Sequence, residues 1–192
     1  MLGFLFLLEE RPDILFLALA CNAQEKNSVN HDLSLAEAID SLNIDKSKIS
    51  VLIDKSDFRL YVRVNEIVLK EYPVVFGKNT VDDKLMQGDK CTPEGKFKMI
   101  SKYPHKDWSK FIWINYPNDD SWKKHNAAKN EGRIPKDAQI GGEVGIHGVP
   151  KGMDFLIDTK YNWTLGCISL KNKDIDEIYP YITKNTMIEI RK

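Results

Sequence analysis

From residue 50 onward, apolar side chains recur at every second position. Val51 and Ile53 lead to Phe58, Leu60, Val62 and Val64, and then to Ile67, Leu69, Tyr72, Val74 and Phe76. A period of two puts alternate side chains on opposite faces of an extended chain, so these runs predict three successive β-strands. Polar breaks at residues 54–57 and 65–66 supply the turns. Such a meander fits an antiparallel sheet with one buried and one wet face. The predicted class is mainly β with a few short helices.

The chain has 192 residues, which suits one domain plus a short N-terminal extension. Its 28 basic and 28 acidic residues cancel, which argues against a nucleic-acid binder with its basic face. No apolar run reaches 18 residues, so no ordinary membrane-spanning helix is expected. Ile14 to Ala20 is a short apolar run ending at Cys21, with polar residues immediately after. This pattern is similar to a lipoprotein export signal, in which the cysteine is lipidated, although Glu9, Glu10 and Asp13 outnumber Arg11 where a positive stretch is usual. Residues 1–30 are read as that signal-like segment and a polar tether. Residues 31–49 form a short helical lead-in: Ser34 and Glu37 have capping-box spacing, and the helix is expected to end near Asn43. Residues 50–192 form the main domain.

Residues 77–95 hold few apolar side chains and many turn formers. A loop of that length in a compact domain is usually functional or mobile. Phe97, Met99 and Ser101 restart a strand, and Trp113 to Tyr116 continue the sheet. Residues 122–133 suggest a short helix. Four glycines surround Val144, Ile146 and His147, and residues 164–170 are apolar again. Asn172 is a plausible N-cap for a helix that ends near Pro180. Residues 187–190 make a final strand.

The three cysteines, Cys21, Cys91 and Cys167, are too few and too unevenly placed for a disulfide scaffold. A free thiol titrates near 8.5 and needs a base or a cation beside it to act at neutral pH. Histidine, near 6.5, can take the proton and return it. His147 lies 20 positions before Cys167, and both fall at predicted strand ends that can sit side by side. Gly145, Gly148 and Gly166 leave room for close approach of backbone or substrate. Backbone N–H groups of Gly166 and Cys167 could meet a developing oxyanion. Spacing alone leaves a packed cysteine and a satisfied histidine as the more frequent outcome.

The surrounding residues carry more. Ile146-His147-Gly148, a spacer, and Thr164-Leu165-Gly166-Cys167-Ile168 resemble the signature of the YkuD-type L,D-transpeptidase family. Lys55-Ser56 within the first hairpin, Tyr72-Pro73-Val74 with Gly77, and Thr92-Pro93-Glu94-Gly95 before Phe97 resemble further blocks of that family in the same order. Asn115 to Asn118 and Trp163 to Asn172 are most similar to its YafK-like branch. The resemblance spans about residues 50–191.

The resemblance implies a β-sandwich catalytic domain acting on peptidoglycan tetrapeptide stems. Cys167 would be the nucleophile and His147 the general base, with the Gly148 carbonyl orienting the imidazole. Gly166 and Cys167 would form the oxyanion hole. By their place in or beside the motif, Thr164, Leu165 and Trp163 are candidates to line the substrate groove, and Arg133, by its charge, is a candidate to meet stem-peptide carboxylates. The stem would be cleaved to a thioester, which an amine resolves in cross-linking and water in hydrolysis. No cofactor or metal is implied, and a monomer of the cell envelope is expected, held to the membrane only through Cys21.

Two positions depart from the family signature: Leu165 stands where histidine is usual, and Ser169 where Asn or Arg is common. Both spare the nucleophile and base but leave the acyl acceptor open. An L,D-carboxypeptidase or amidase is therefore an alternative, and a non-catalytic peptidoglycan-binding lipoprotein is a third reading. Cys91 is expected to have no chemical role, and His31, His105 and His125 to lie on the surface. The thiol and imidazole of the pair are expected within roughly 4 Å.

Overall fold

A computed structural model describes residues 33–192. The signal-like segment with Cys21, the tether and His31 lie outside the described residues.

Helix α1 (Leu35–Ser41) begins as its spacing predicts. The Glu37 N–H donates to Ser34 Oγ at 3.2 Å, and the Ser34 N–H donates to the Glu37 carboxylate at 2.7 Å. Such a cap is worth about 1 kcal/mol. The helix stops at Ser41, two residues before the expected end, and Asn43 adopts a left-handed φ of 48°, which asparagine tolerates better than most residues. Leu35 and Ile39 join the core, and the Leu35 N–H donates to Glu177 at 2.6 Å. These contacts dock the lead-in on the domain.

Strands β1 (Ser50–Asp54), β2 (Arg59–Val64) and β3 (Ile67–Pro73) form the predicted antiparallel meander. Burial alternates cleanly along β2. Along β1 it does not, because Leu52 is buried together with Val51 and Ile53. β1 lies inside the sheet, between β2 and the final strand β8 (Met187–Arg191), which runs parallel to it with Val51 opposite Ile188. The sheet is thus mixed, and the single wet face expected for all three strands is lost at β1.

The sheet has eight strands in the order β3-β2-β1-β8-β4-β5-β6-β7. Strand β4 (Gly95–His105) serves both halves: residues 95–98 pair with β8, and residues 99–105 pair with β5 (Ser109–Ile114). A register irregularity between Met99 and Ser101 marks the change, as a bulge would. β6 (Gly145–His147) and β7 (Ile168–Ser169) complete the second half as a parallel pair. Val51, Ile53, Leu60 and Val62 from one half share a single core with Ile112, Ile114, Ile146 and Ile168 from the other. The two ends of the sheet also meet: Val75 bridges Ser169, and Gly77 bridges Thr164. This joins the segment after β3 to the Cys167 segment.

Helix α2 (Asp119–Asn130) starts three residues earlier than its apolar content suggests, because the Asn118 side chain caps Ser121 N–H at 3.0 Å. A short helix, α3 (Phe155–Asp158), fills the spacer between His147 and Cys167. Helix α4 (Asn172–Ile178) corrects the expected cap: Lys171 occupies the cap position, and Asn172 is the first helical residue. The backbone leaves β7 extended because Leu170 N–H donates to His147 O at 2.9 Å, so helical geometry begins only after Lys171. A single 3-10 turn at Tyr179–Tyr181 contains Pro180 and ends this segment. Among the described residues no helix is long and apolar enough to cross a membrane.

Candidate active site

His147 ends β6, and Cys167 immediately precedes β7. In the parallel pair, Ile146 lies opposite Ile168 and His147 opposite Ser169. Facing residues of neighbouring strands share one side of the sheet, and so do residues two apart. Ser169, and Cys167 two positions before it, are therefore set on the side of His147. Both Cys167 and His147 line a cavity of about 780 Å³, together with Lys84, Trp108, Glu143 and Trp163.

The imidazole is fixed on two sides. Its Nδ1 lies 2.7 Å from Gly148 O. A carbonyl only accepts, so Nδ1 carries the proton and Nε2 is left with a lone pair, the form a general base needs. The same carbonyl accepts from Ser169 Oγ at 3.2 Å, and the Gly148 N–H donates to Trp108 O at 3.0 Å. A Cβ on residue 148 would lie 2.1 Å from Asn172 Oδ1 and 2.6 Å from Trp108 O. Only glycine lets the carbonyl reach the histidine here. Around the ring, Trp108 stacks at 4.4 Å between centroids, Phe111 at 5.7 Å and Trp163 edge-on at 5.5 Å. Burial in this aromatic enclosure holds the His147 pKa down to about 4, because the charged ring has lost its water.

Cys167 is partly exposed. Burial of its sulfur pushes the thiol up to about 11, opposed by a hydrogen bond from the backbone of Gly145 and by the charge of Lys84. Its S–H donates to Glu143 O at 3.6 Å. Among the described residues no hydrogen bond joins the thiol to the imidazole, although both side chains line the same cavity. Catalytic hydrogen bonds are often long in the absence of substrate. The resting pair is neutral thiol and neutral imidazole.

The turn before the cysteine is clamped by Thr164. Its Oγ1 donates to Cys167 O at 2.7 Å and accepts from Gly166 N–H at 3.2 Å. The Gly166 N–H, expected to face an oxyanion, is bonded to Thr164 in this structure. Gly166 has a φ of 143° and packs against Cys91 O, which a Cβ would approach to 2.8 Å. Leu165 lies on the rim with 71% of its surface exposed, and Trp163 and Thr164 line the cavity.

Arg133 does not belong to this site. It is exposed, pairs with Glu131 at 2.7 Å and borders a separate depression beside α2. The turn after α2 carries it there, a path that sequence spacing does not reveal. His125 is buried rather than at the surface, with Nδ1 2.6 Å from Leu85 O. His105 stacks on Trp108 at 4.4 Å, which extends the aromatic row behind His147. Sequence reasoning missed Trp108, Phe111, Glu143 and Lys84. Phe111 reaches the site because it pairs with His147 across β5 and β6, a register set by the whole of residues 115–144.

The loop of residues 77–95 is cross-braced. Asp89 accepts from the N–H groups of Leu85, Met86 and Cys91 and from Lys84. Lys55, buried at the first hairpin, pairs with Glu94 at 2.7 Å. Lys124 on α2 pairs with Asp83 at 2.5 Å. These contacts place one wall of the cavity.

Residues 48–190 match the model of the YkuD L,D-transpeptidase catalytic domain. This chain belongs to that family. Its fold is similar to the helical cell shape determining protein Pgp2 of Campylobacter jejuni, with 19% identity and a TM-score of 0.54 over 82% of this chain and 55% of that one. It is also similar to Bd1075 of Bdellovibrio bacteriovorus, at 21% identity and 0.50 over 75% and 48%. A third likeness is L,D-transpeptidase 3 of Mycobacterium tuberculosis, at 11% identity and 0.50 over 76% and 61%. The chain therefore spans about half to three fifths of these solved chains. A search of curated proteins finds no match.

Proposed function

We propose that this chain is a cysteine-dependent L,D-transpeptidase that acts on peptidoglycan tetrapeptide stems through a thioester. The observation that carries this reading is the Gly148 carbonyl, which fixes His147 in the one tautomer that presents a basic Nε2 to the cavity shared with Cys167. In the forward step Nε2 takes the thiol proton as sulfur attacks the stem carbonyl. The Cys167 N–H donates to the oxygen that gains charge. The C–N bond then breaks, the imidazolium returns the proton to the leaving amine, and a thioester remains. A second amine attacks the thioester to form a cross-link and restores the thiol.

Hydrolysis of the same acyl-enzyme is the second reading. Leu165 favours it, because an exposed leucine at the rim offers an incoming amine no hydrogen-bonding partner. The chain is further proposed to work in the cell envelope, anchored through Cys21. Membrane fractionation of the native chain against Cys21→Ser tests this, with release of the variant expected.

L,D-transpeptidase 3 of M. tuberculosis has been solved with a faropenem-derived adduct. Incubation of the full chain with faropenem should add the mass of one adduct, and Cys167→Ala should abolish it. Absence of an adduct with faropenem and with other acylating probes sinks both enzymatic readings. Purified muropeptides then separate the two, since dimers mean transpeptidation and trimmed stems mean hydrolysis.

A further inference from the structure

Lys84 is a buried cation that the dyad chemistry above leaves unused. Its side chain is 5% exposed, yet it lines the same cavity as Cys167. Nζ donates to Asp89 Oδ1 at 2.8 Å and to Met86 O at 3.1 Å. An ammonium has three N–H groups, and among the described residues the third has no partner. Nζ lies 3.9 Å from the point where a side chain on Gly166 would begin, one residue before the nucleophile.

The pairing with Asp89 does not cancel this charge. Asp89 also accepts three backbone N–H groups, at 2.8, 2.9 and 3.0 Å. Those dipoles already neutralise much of the carboxylate, so a net positive field remains at Nζ. The other charged or titratable groups around Cys167 are few. Glu143 and Lys90 border the cavity at its exposed lip, and His147 is neutral. Meanwhile one of the two expected oxyanion donors, the Gly166 N–H, is spent on Thr164.

We propose that Lys84 is a catalytic residue whose free N–H stabilises negative charge at the Cys167 sulfur and on the substrate oxygen as the acyl-enzyme forms. It takes the place of the Gly166 N–H. The low exposure of Lys84 strengthens this interaction, because little water screens the ammonium. The proposal rests on Cys167 as nucleophile but not on the identity of the acyl donor. The direction in which Lys84 moves the Cys167 thiol, downward against burial, agrees with it.

The test is the alkylation rate of Cys167 in the full chain, followed by peptide mass spectrometry between pH 7 and 9, where rate tracks thiolate fraction. Lys84→Met is expected to slow iodoacetamide about tenfold, the equivalent of one pKa unit. Asp89→Asn keeps the cation and weakens its counter-charge, and should speed the reaction several-fold. The ratio of iodoacetate to iodoacetamide rates cancels differences in access and should fall in Lys84→Met, because an anionic reagent loses its attraction. A merely structural role for Lys84 would loosen the loop in both variants and move their rates together. Rates that move together, or an unchanged reagent ratio in Lys84→Met, overturn the proposal. The alkylation readout needs no stem peptide, so it stands whether or not muropeptides are turned over.

Discussion

His147 and Ser169 donate to one oxygen. The Gly148 carbonyl accepts from the imidazole Nδ1 at 2.7 Å and from the serine hydroxyl at 3.2 Å. Ser169 is completely buried and lies directly opposite His147 in the sheet. The serine fixes the acceptor that fixes the imidazole.

Ser169→Ala should therefore lower kcat by about fivefold, the equivalent of ~1 kcal/mol for one hydrogen bond. KM should change little, since the serine is not among the residues lining the cavity. Steady-state kinetics with stem peptide, alongside a thermal melt to confirm folding, checks this split.

The pH dependence follows from the two shifts. In the proposed mechanism, activity requires neutral imidazole and a proton on the thiol for the imidazole to take. Below about pH 4 His147 is charged and cannot act as base, and above about pH 11 the thiol has already lost its proton. A plateau across neutral pH is expected in kcat/KM, and limbs placed near 6 and 8 would contradict it.

Trp108→Leu removes the ring stacked on His147 and lets water reach the imidazole. The acid limb should rise from about 4 toward the ordinary histidine value near 6.5. Measuring the acylation rate by a β-lactam from pH 3.5 to 8 in both forms reads the displacement directly.

Asp174 gives a stability effect with a definite sign. Burial at the start of α4 raises its carboxyl to about 6 in the folded chain, against about 3.9 unfolded. The folded state thus holds the proton more tightly. Below pH 4 the group costs nothing. As pH rises from 4 to 6 stability falls, and the penalty is complete above 6. Asp174→Asn should stabilise the protein at pH 7 by roughly 1–3 kcal/mol, and the gain should vanish at pH 4. Urea unfolding at the two pH values measures it.

Much of the fold could be read from local pattern. The alternation from Val51 to Tyr72 marks β1 to β3, and Ser34 with Glu37 marks α1, because each rests on residues a few positions apart. The parallel pairing of β1 with β8 has no local signature, since its partners are separated by more than a hundred residues. The site divides the same way. The segments carrying Cys167 and His147 are marked by their own motifs. Trp108, Phe111 and Lys84 arrive through register and loop packing, which only the folded sheet defines. By charge alone Arg133 fits a carboxylate, but the turn after α2 carries it elsewhere. Position alone points the Gly166 N–H toward an oxyanion, but the hydroxyl of Thr164 claims it first.

The pairing of the sheet makes the candidate site depend on segments far apart in the chain. β1 acquires its parallel neighbour only from residues 187–191, and the Cys167 segment is held by Val75 from far upstream. A growing chain can contain both Cys167 and His147 and still lack the strand pairings that hold them. The candidate site is thus a property of the whole sheet, whose first strand lies beside its last.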